Sequence, residues 1–439
     1  MDYFSPEELK NIFENKVRLS LTRGIDGLSA KRFFELHPDY AENISKKIHN
    51  GTYKFSPYLE KLILKGKDKK PRVISIPCIR DSIVLNSLLN YIKNSYSVLL
   101  PPKMPNSLIF KIKKSLQKLP ENQHFFIRLD FKNYYPSINH ANLIEKLCFI
   151  DDENILNIIR HAISNITVPF DSYFDLRPES NTIGLPQGLP ISNILSEIYL
   201  LNFDENISSK VKHYCRYVDD ILIITDNKEK TLDIVNSNVK TEFLTLNDEK
   251  TESNSTEETV NFLGYKINSK CISVKDKNTE IFIKKLQKIF SEYRLNTSRK
   301  NIIATDVLIE DLNMRTAGAY SNNKRYGWII YYSMIDDITK LYEIDSIIKR
   351  NLKRYKLLHI SPKIKSIVRA YFHIRGKQWA SYAHNFDVVT IPEMIKALKI
   401  RGLFDENEKA KGTTILLRYQ KYVKSQLDSI DKDWGNGYK

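Results

Sequence analysis

The chain has little of what marks a secreted or membrane protein. Only four cysteines occur in its 439 residues (Cys78, Cys148, Cys215 and Cys271), and no two form a Cys-x-x-Cys pair. That scatter excludes a disulfide framework and a cysteine-based zinc site, and it suits reduced thiols in a cytoplasmic protein. The start, Met1-Asp2-Tyr3-Phe4-Ser5, has neither the basic residues nor the apolar stretch of a signal peptide. No apolar run approaches the roughly 20 residues of a membrane span, so no membrane is expected as a partner. Internal repeats and Pro/Ser-rich linkers are also missing, which leaves domain boundaries to changes of pattern.

Acidic residues are outnumbered. Against 68 Lys and Arg stand 52 Asp and Glu, a formal net charge of +16 at pH 7. With 25 Tyr and 20 Phe, this balance points to a polyanionic partner, cations for phosphates and rings for bases. The shortage is sharpest between Lys349 and Lys377, where no acid occurs. Ten cations do: Lys349, Arg350, Lys353, Arg354, Lys356, Lys363, Lys365, Arg369, Arg375 and Lys377, with Tyr355, Tyr371, Phe372 and His373 among them. A solvated helix face normally mixes signs. The stretch therefore reads as a nucleic-acid track, with Lys353 and Arg369 as its test positions.

Where acids do gather, they gather in odd places. Arg216-Tyr217-Val218-Asp219-Asp220-Ile221-Leu222-Ile223-Ile224 sets two adjacent carboxylates against an apolar, β-branched run that reads as a buried strand. Both aspartates fit best in a tight turn, and a divalent cation is the usual compensation for their desolvation. A solvated Asp-Asp turn is the plain alternative. A second acidic element, Phe125 to Ile138, ends an apolar strand on Asp130 and continues into aromatics. Gly184-Leu185-Pro186-Gln187-Gly188 is a turn-rich loop opening a helix at 194–202. Its glycines permit close backbone approach to a ligand, and Gln187 can both donate and accept hydrogen bonds.

Around these motifs, residues 1–50 look helical. Tyr58–Leu64 and Arg72–Pro77 read as a hairpin with a basic tip, Lys65 to Pro71, suited to gripping phosphates. Asn261 to Ile267 reads as one strand with a glycine kink. Beyond about residue 280 strand signals nearly vanish, and helical patterns cover 280–295, 328–357, 363–384 and 391–401.

In this order the motifs resemble those of reverse transcriptases, over about residues 24–267. The residues that carry the resemblance are Lys69 to Ile74, Leu129-Asp130 with Tyr135, Gly184 to Gly188 with Ser192, Tyr217-Val218-Asp219-Asp220, Lys250, and Phe262-Leu263-Gly264-Tyr265. The resemblance implies an α+β, right-hand polymerase: fingers and palm of antiparallel sheet plus helices, then an α-helical thumb and C-terminal region. It divides the chain into an N-terminal helical extension (1–52), fingers (53–120), a first part of the palm (121–150), a connection (151–183), a second part of the palm (184–274), a thumb (275–360) and a basic C-terminal region (361–439).

By position, the resemblance makes Asp130, Asp219 and Asp220 the catalytic carboxylates. With the carbonyl of Phe131 they would hold two Mg²⁺, for which Mn²⁺ is a substitute. Arg72, Lys70, Gln187, Gly188 and Lys250 match nucleotide-pocket positions. Tyr135 matches the ring that excludes a 2′-hydroxyl, and so favours deoxynucleotides. Tyr217 and the Phe262–Tyr265 segment match primer contacts. The implied partners are an RNA template, its DNA product and deoxynucleotides; a second copy or a partner protein is left open. No region for an endonuclease, protease, integrase or RNase H is evident. The chain looks most like the defence-associated, abortive-infection-type bacterial enzymes, with a structured noncoding RNA as template and antiphage defence as the role. A retron-type enzyme making an RNA–DNA hybrid, a protein-primed or nontemplated DNA polymerase, and a non-catalytic RNA-binding scaffold stay open as alternatives.

Overall fold

The structure, a computed structural model, describes residues 2–64, 70–96, 104–120, 123–171, 180–299, 302–376, 381–404 and 412–433. Lys65 to Lys69, most of the basic hairpin tip, and Lys377 lie outside the described residues. The chain forms two compact units, one of Met1–Lys103 with His124–Ser253 and the other of Met104–Gln123 with Asn254–Lys439. Both mix helices with small sheets, so the α+β class holds.

In the first unit, β1 (Tyr58–Ile63) and β2 (Arg72–Ile76) pair antiparallel, with Ile63 opposite Arg72. The register places Arg72 at the tip end of this hairpin. The unit's main sheet is built on β3 (Phe125–Asp130); β4 (Thr167–Val168) instead pairs with β1. Beside β3 run β6 (Asp220–Thr225) and then β5 (His213–Tyr217), and on its other edge β7 (Glu252–Ser255). Every residue of β6 is buried, as its unbroken apolar run requires. Period-2 alternation sends Ile127, Leu129, Phe131, Ile221 and Ile223 to one face. There they join a core with Leu195, Ile198, Phe203, Val235 and Val239 from the helices Ser192–Tyr199, Leu201–Ser208 and Lys228–Thr241. At roughly 1.5–3 kcal/mol per buried large side chain, this face alone fixes the register of the sheet.

The second unit corrects the sequence reading in four places. Residues 261–267 are not one kinked strand. They form a hairpin of β8 (Val260–Phe262) and β9 (Tyr265–Ile267), extended by β10 (Ile272–Val274). Leu263 (φ 49°) and Gly264 (φ 78°) both take left-handed conformations, as a two-residue type I′ turn demands. A Cβ at position 264 would come within 2.6 Å of Asn278 Nδ2 and of the Tyr332 hydroxyl, which restricts that position to glycine. Strands also continue beyond residue 280: β11 (Ala319–Ser321) turns through Asn322 and Asn323, both at positive φ, into β12 (Lys324–Tyr326), and β13 (His384–Asn385) pairs with β11. The helical pattern over 328–357 is interrupted. Trp328–Tyr331 is a single turn and the long helix begins only at Thr339, because Asp336 between them is bonded to the backbone of Ile272. Likewise, among the described residues of 363–384 the α-helix is confined to Ile367–Arg375.

Candidate active site

Two strands and one turn bring the three aspartates together. The β3–β6 register sets Asp130 directly opposite Asp220, and β5 and β6 close around Tyr217 and Asp220, leaving Val218 and Asp219 as the two-residue turn. Only Asp219 lies in the turn; Asp220 is already the first residue of its strand. Opposed residues of an antiparallel pair share a face, and like charges there repel. Each is compensated by a different cation. Lys250 Nζ lies 2.6 Å from Asp130 Oδ2, and Asn247 Nδ2 donates to the same oxygen at 3.3 Å. Arg128, the diagonal neighbour two residues before Asp130, donates to Asp220 at 3.0 and 3.5 Å. Arg128 was legible from the alternation of β3 but carries no motif.

Asp219 is left as the least compensated of the three. Burial first, and the Asp130 carboxylate second, push its pKa above the usual carboxylate range, with Lys250 and Arg72 pulling the other way. Burial pushes Asp220 up to about 6; Arg128 opposes this, while Asp219 and Asp130 add to it. A carboxylate whose proton affinity is raised by a neighbouring carboxylate, as that of Asp219 is by Asp130, suits a cation shared with it. Among the described residues, no three His, Cys, Asp or Glu side chains converge as a ready cage. Asp220 lies against Arg128 instead, which leaves Asp130 and Asp219 as the pair that fits a cation best.

The turn itself is strained. Val218 sits at φ 58°, a conformation costing a β-branched residue of order 1–3 kcal/mol. What holds it is Arg216, a residue the sequence reading passed over. Its side chain is 1% exposed and donates to both oxygens of Asp204 at 2.6 and 2.7 Å and to the Val218 carbonyl at 2.9 Å; Glu197 lies 3.1 Å away. Glu197 in turn accepts from the Val218 amide at 3.3 Å. Both backbone groups of the strained residue are thus bound to one buried ion network. Burial opposes the charge on Arg216, and Asp204 and Glu197 outweigh that opposition.

Of the expected nucleotide-pocket residues, Lys250, Arg72 and Tyr135 interact with the carboxylates. Arg72 is close enough to act electrostatically on both Asp219 and Tyr135. After β3 the chain reverses through Asn133 at φ 51° and delivers Tyr135, whose hydroxyl donates to Asn193 Oδ1 at 2.6 Å and accepts from Ser196 at 3.3 Å. Burial pushes that phenol up to about 12, so it stays neutral. The glycine loop docks on β2: the Ser75 amide donates to the Gln187 carbonyl at 2.7 Å. A Cβ on Gly188 (φ 101°) would meet Ile74 Cγ2 at 2.7 Å. Gln187 is half-buried and Lys70 exposed, next to the undescribed hairpin tip. Tyr217 ends β5, half-buried.

The remaining expected positions lie in the second unit. Phe262, Leu263 and Tyr265 are fully buried there, with Tyr265 bonded to the Tyr331 carbonyl and Tyr331 to that of Leu263. Their side chains are core; any primer contact from this hairpin falls to its backbone or to Asn261 and Lys266. Lys353 and Arg369 are exposed. Two cations of the basic stretch are structural instead: Lys365 donates to the Tyr382 carbonyl at 2.6 Å, and Arg375 to the Tyr371 hydroxyl.

Residues 63–267 match the family described as reverse transcriptase (RNA-dependent DNA polymerase). No curated protein matches the chain. Among solved structures, the chain is similar to telomerase of Candida tropicalis truncated from its C-terminal domain, at 17% identity and TM-score 0.38. That match covers 56% of this chain and 61% of the telomerase, so the chain spans about three fifths of it. Telomerase of Candida albicans with a fragment of telomeric RNA matches at 15% identity and TM-score 0.42, covering 92% of this chain and 67% of that one. Apo telomerase of Candida tropicalis matches at 14% identity and TM-score 0.42, covering 88% of this chain and 74% of that one. Residues 63–267, a little under half of the chain, are thus similar to a reverse transcriptase domain.

Proposed function

We propose that the chain synthesises DNA on an RNA template from deoxynucleotides. One observation carries this reading. The Asp130–Asp220 register, with Asp219 in the adjoining turn, faces Arg72 and Tyr135 across a site that a nucleoside triphosphate suits. Two divalent cations, Mg²⁺ with Mn²⁺ as substitute, would be held by Asp130 and Asp219 with the Phe131 carbonyl, and by Asp220 once it releases Arg128. When bound, they supply the charge neutralisation that lets a 3′-hydroxyl attack and pyrophosphate leave. Arg72 and Lys70 grip the triphosphate, while Gln187 and Gly188 line the nucleotide. Lys250 exchanges Asp130 for a phosphate oxygen when the nucleotide arrives. Tyr135, fixed by Asn193, blocks a 2′-hydroxyl. Tyr217 and the hairpin around Leu263 and Gly264 hold the primer; Lys353 and Arg369 hold template or product.

The segments 53–274 act as fingers and palm and 275–360 as thumb. The resemblance in motif order supports a finer role: a bacterial, cytoplasmic enzyme of antiphage defence that copies a structured noncoding RNA. Among the described residues no helix is long and apolar enough to cross a membrane.

The test is labelled-nucleotide incorporation with co-purifying RNA and Mg²⁺. DNA should form from deoxynucleotides, fail after RNase, and fall by about 10³-fold in the Asp219→Ala, Asp220→Ala double variant, matching the several kcal/mol that a cation site supplies. RNA binding should survive in that variant. Full incorporation by it would remove the carboxylates from the chemistry.

A further inference from the structure

The second unit holds a groove beside Arg369 whose rings the polymerase reading does not use. It measures about 500 Å³ and is lined by Tyr342 and Asp345 from the helix Thr339–Arg354, and by Ser366, Arg369, Phe372 and His373 at and along the helix Ile367–Arg375. Two of its walls are rings that the fold leaves wet, Tyr342 at 55% and Phe372 at 53% exposure. A third ring is fixed: His373 stacks on Tyr382 with centroids 4.7 Å apart and planes 6° from parallel.

The charge around the groove is one-sided. Its single acid, Asp345, is consumed as a helix cap, accepting from Ser366 Oγ at 2.5 Å, the Ile367 amide at 2.9 Å and the Val368 amide at 3.3 Å. Arg369 lines the groove and is exposed. Lys349 and Lys353 follow Tyr342 and Asp345 at helical spacing, so they continue the same face of that helix. Glu343 is the only other acid on that helix and is exposed one residue along from Tyr342. Flat rings bordered by uncompensated cations match a base with its phosphates. An acidic peptide would use the cations and leave the rings wet.

We propose that this groove seats an unpaired nucleobase of single-stranded nucleic acid, stacked on Phe372 and Tyr342, with the flanking phosphates on Arg369, Lys349 and Lys353. Base–aromatic stacking tolerates any sequence, because every base has a π-face. The groove therefore acts as a sequence-blind hold on a strand that is not in duplex. This rests on the chain's being a nucleic-acid polymerase, and it adds a site for unpaired template or product.

The test uses the full chain and three 5′-labelled hexamers: single-stranded RNA, single-stranded DNA, and an abasic deoxyribose-phosphate strand of equal charge. Affinities are read by fluorescence anisotropy. Both rings are exposed, so a Tyr342→Ala, Phe372→Ala variant should keep the wild-type unfolding temperature. It should bind the base-bearing hexamers about tenfold more weakly and the abasic strand unchanged. Arg369→Ala should lower the salt slope by about 0.7, the value of one phosphate contact on a single strand. Tighter binding of RNA marks the template as the natural occupant, and tighter binding of DNA marks the product. Three results overturn the proposal: unchanged affinity in the double variant, abasic binding as tight as DNA binding, or equal competition by hexaglutamate. Incorporation by the wild type is measured in parallel. Incorporation without ring-dependent binding removes the groove and leaves the polymerase; ring-dependent binding without incorporation does the reverse.

Discussion

The turn at Val218-Asp219 and the helix pair around Arg369 handle charge in opposite ways. In the first, Arg216, Asp204, Glu197, Arg128, Asp220, Lys250 and Asp130 all meet partners of opposite sign, and most are buried or nearly so. In the second, Lys349, Arg350, Lys353, Arg354 and Arg369 stand exposed in a stretch with no acid. Desolvated charge without a partner is too costly to keep, so the buried network must close on itself and thereby fix geometry. Exposed cations bear no such cost and can wait for an anion from outside. The same residue type is scaffold in one place and binding surface in the other.

Arg216→Ala should break this contrast most sharply. It strands Asp204 and Glu197 and frees the strained Val218, so the first unit should lose about 3–5 kcal/mol, read as an earlier unfolding transition in urea. Arg216→Lys keeps the charge but not the two-pronged bond to Asp204, and should recover part of the stability while incorporation stays low. Stability unchanged in Arg216→Ala would show that the network holds nothing. The second unit should respond in the opposite sense. Lys353→Glu with Arg369→Glu should shift stability by no more than about 0.5 kcal/mol yet weaken RNA binding and flatten its salt dependence. Unchanged affinity would make that stretch a merely solvated face.

The contrast also explains what could be read from residue order. The Asp-Asp strand, the hairpin β1–β2 and the strand ending in Asp130 announce themselves by local alternation, and the structure has all three. The buried ion network does not announce itself. Asp204 and Glu197 lie 12 and 19 residues from Arg216, on helices whose docking only the fold decides. The hairpin at Leu263-Gly264 hid because leucine rarely takes a left-handed φ, so the pair read as a kink. Asn322-Asn323 was a legible turn signal, masked by flanking strands of three residues each. In the basic stretch, charge counting found the face, but it could not separate Lys365 and Arg375, which are tied to backbone and tyrosine, from the cations that stay free to bind.

A subtler test concerns the sugar. Tyr135 is held by Asn193 beside the carboxylates, and Tyr135→Ala should raise ribonucleotide use relative to deoxynucleotide use by about tenfold. Asn193→Ala should give a smaller rise, because the ring stays but its hydroxyl is no longer anchored. Unchanged selectivity in Tyr135→Ala would remove it as the gate.

The smallest effect is the one that joins charge to cation. Asp220 titrates at about 6 in the folded chain and near 3.9 when unfolded. Between those values the folded chain keeps a proton that the unfolded chain has lost. This group's contribution to stability is therefore present at low pH and is withdrawn as pH rises through about 6. A bound divalent cation favours the ionised carboxylates and works in the other direction. Mg²⁺ at ten times its Kd should stabilise the first unit by about 1.4 kcal/mol at pH 7.5. The gain should be smaller at pH 5, where binding must first displace a proton. Equal gains at both pH values would place the cation elsewhere, since only a seat on these carboxylates couples metal binding to their titration.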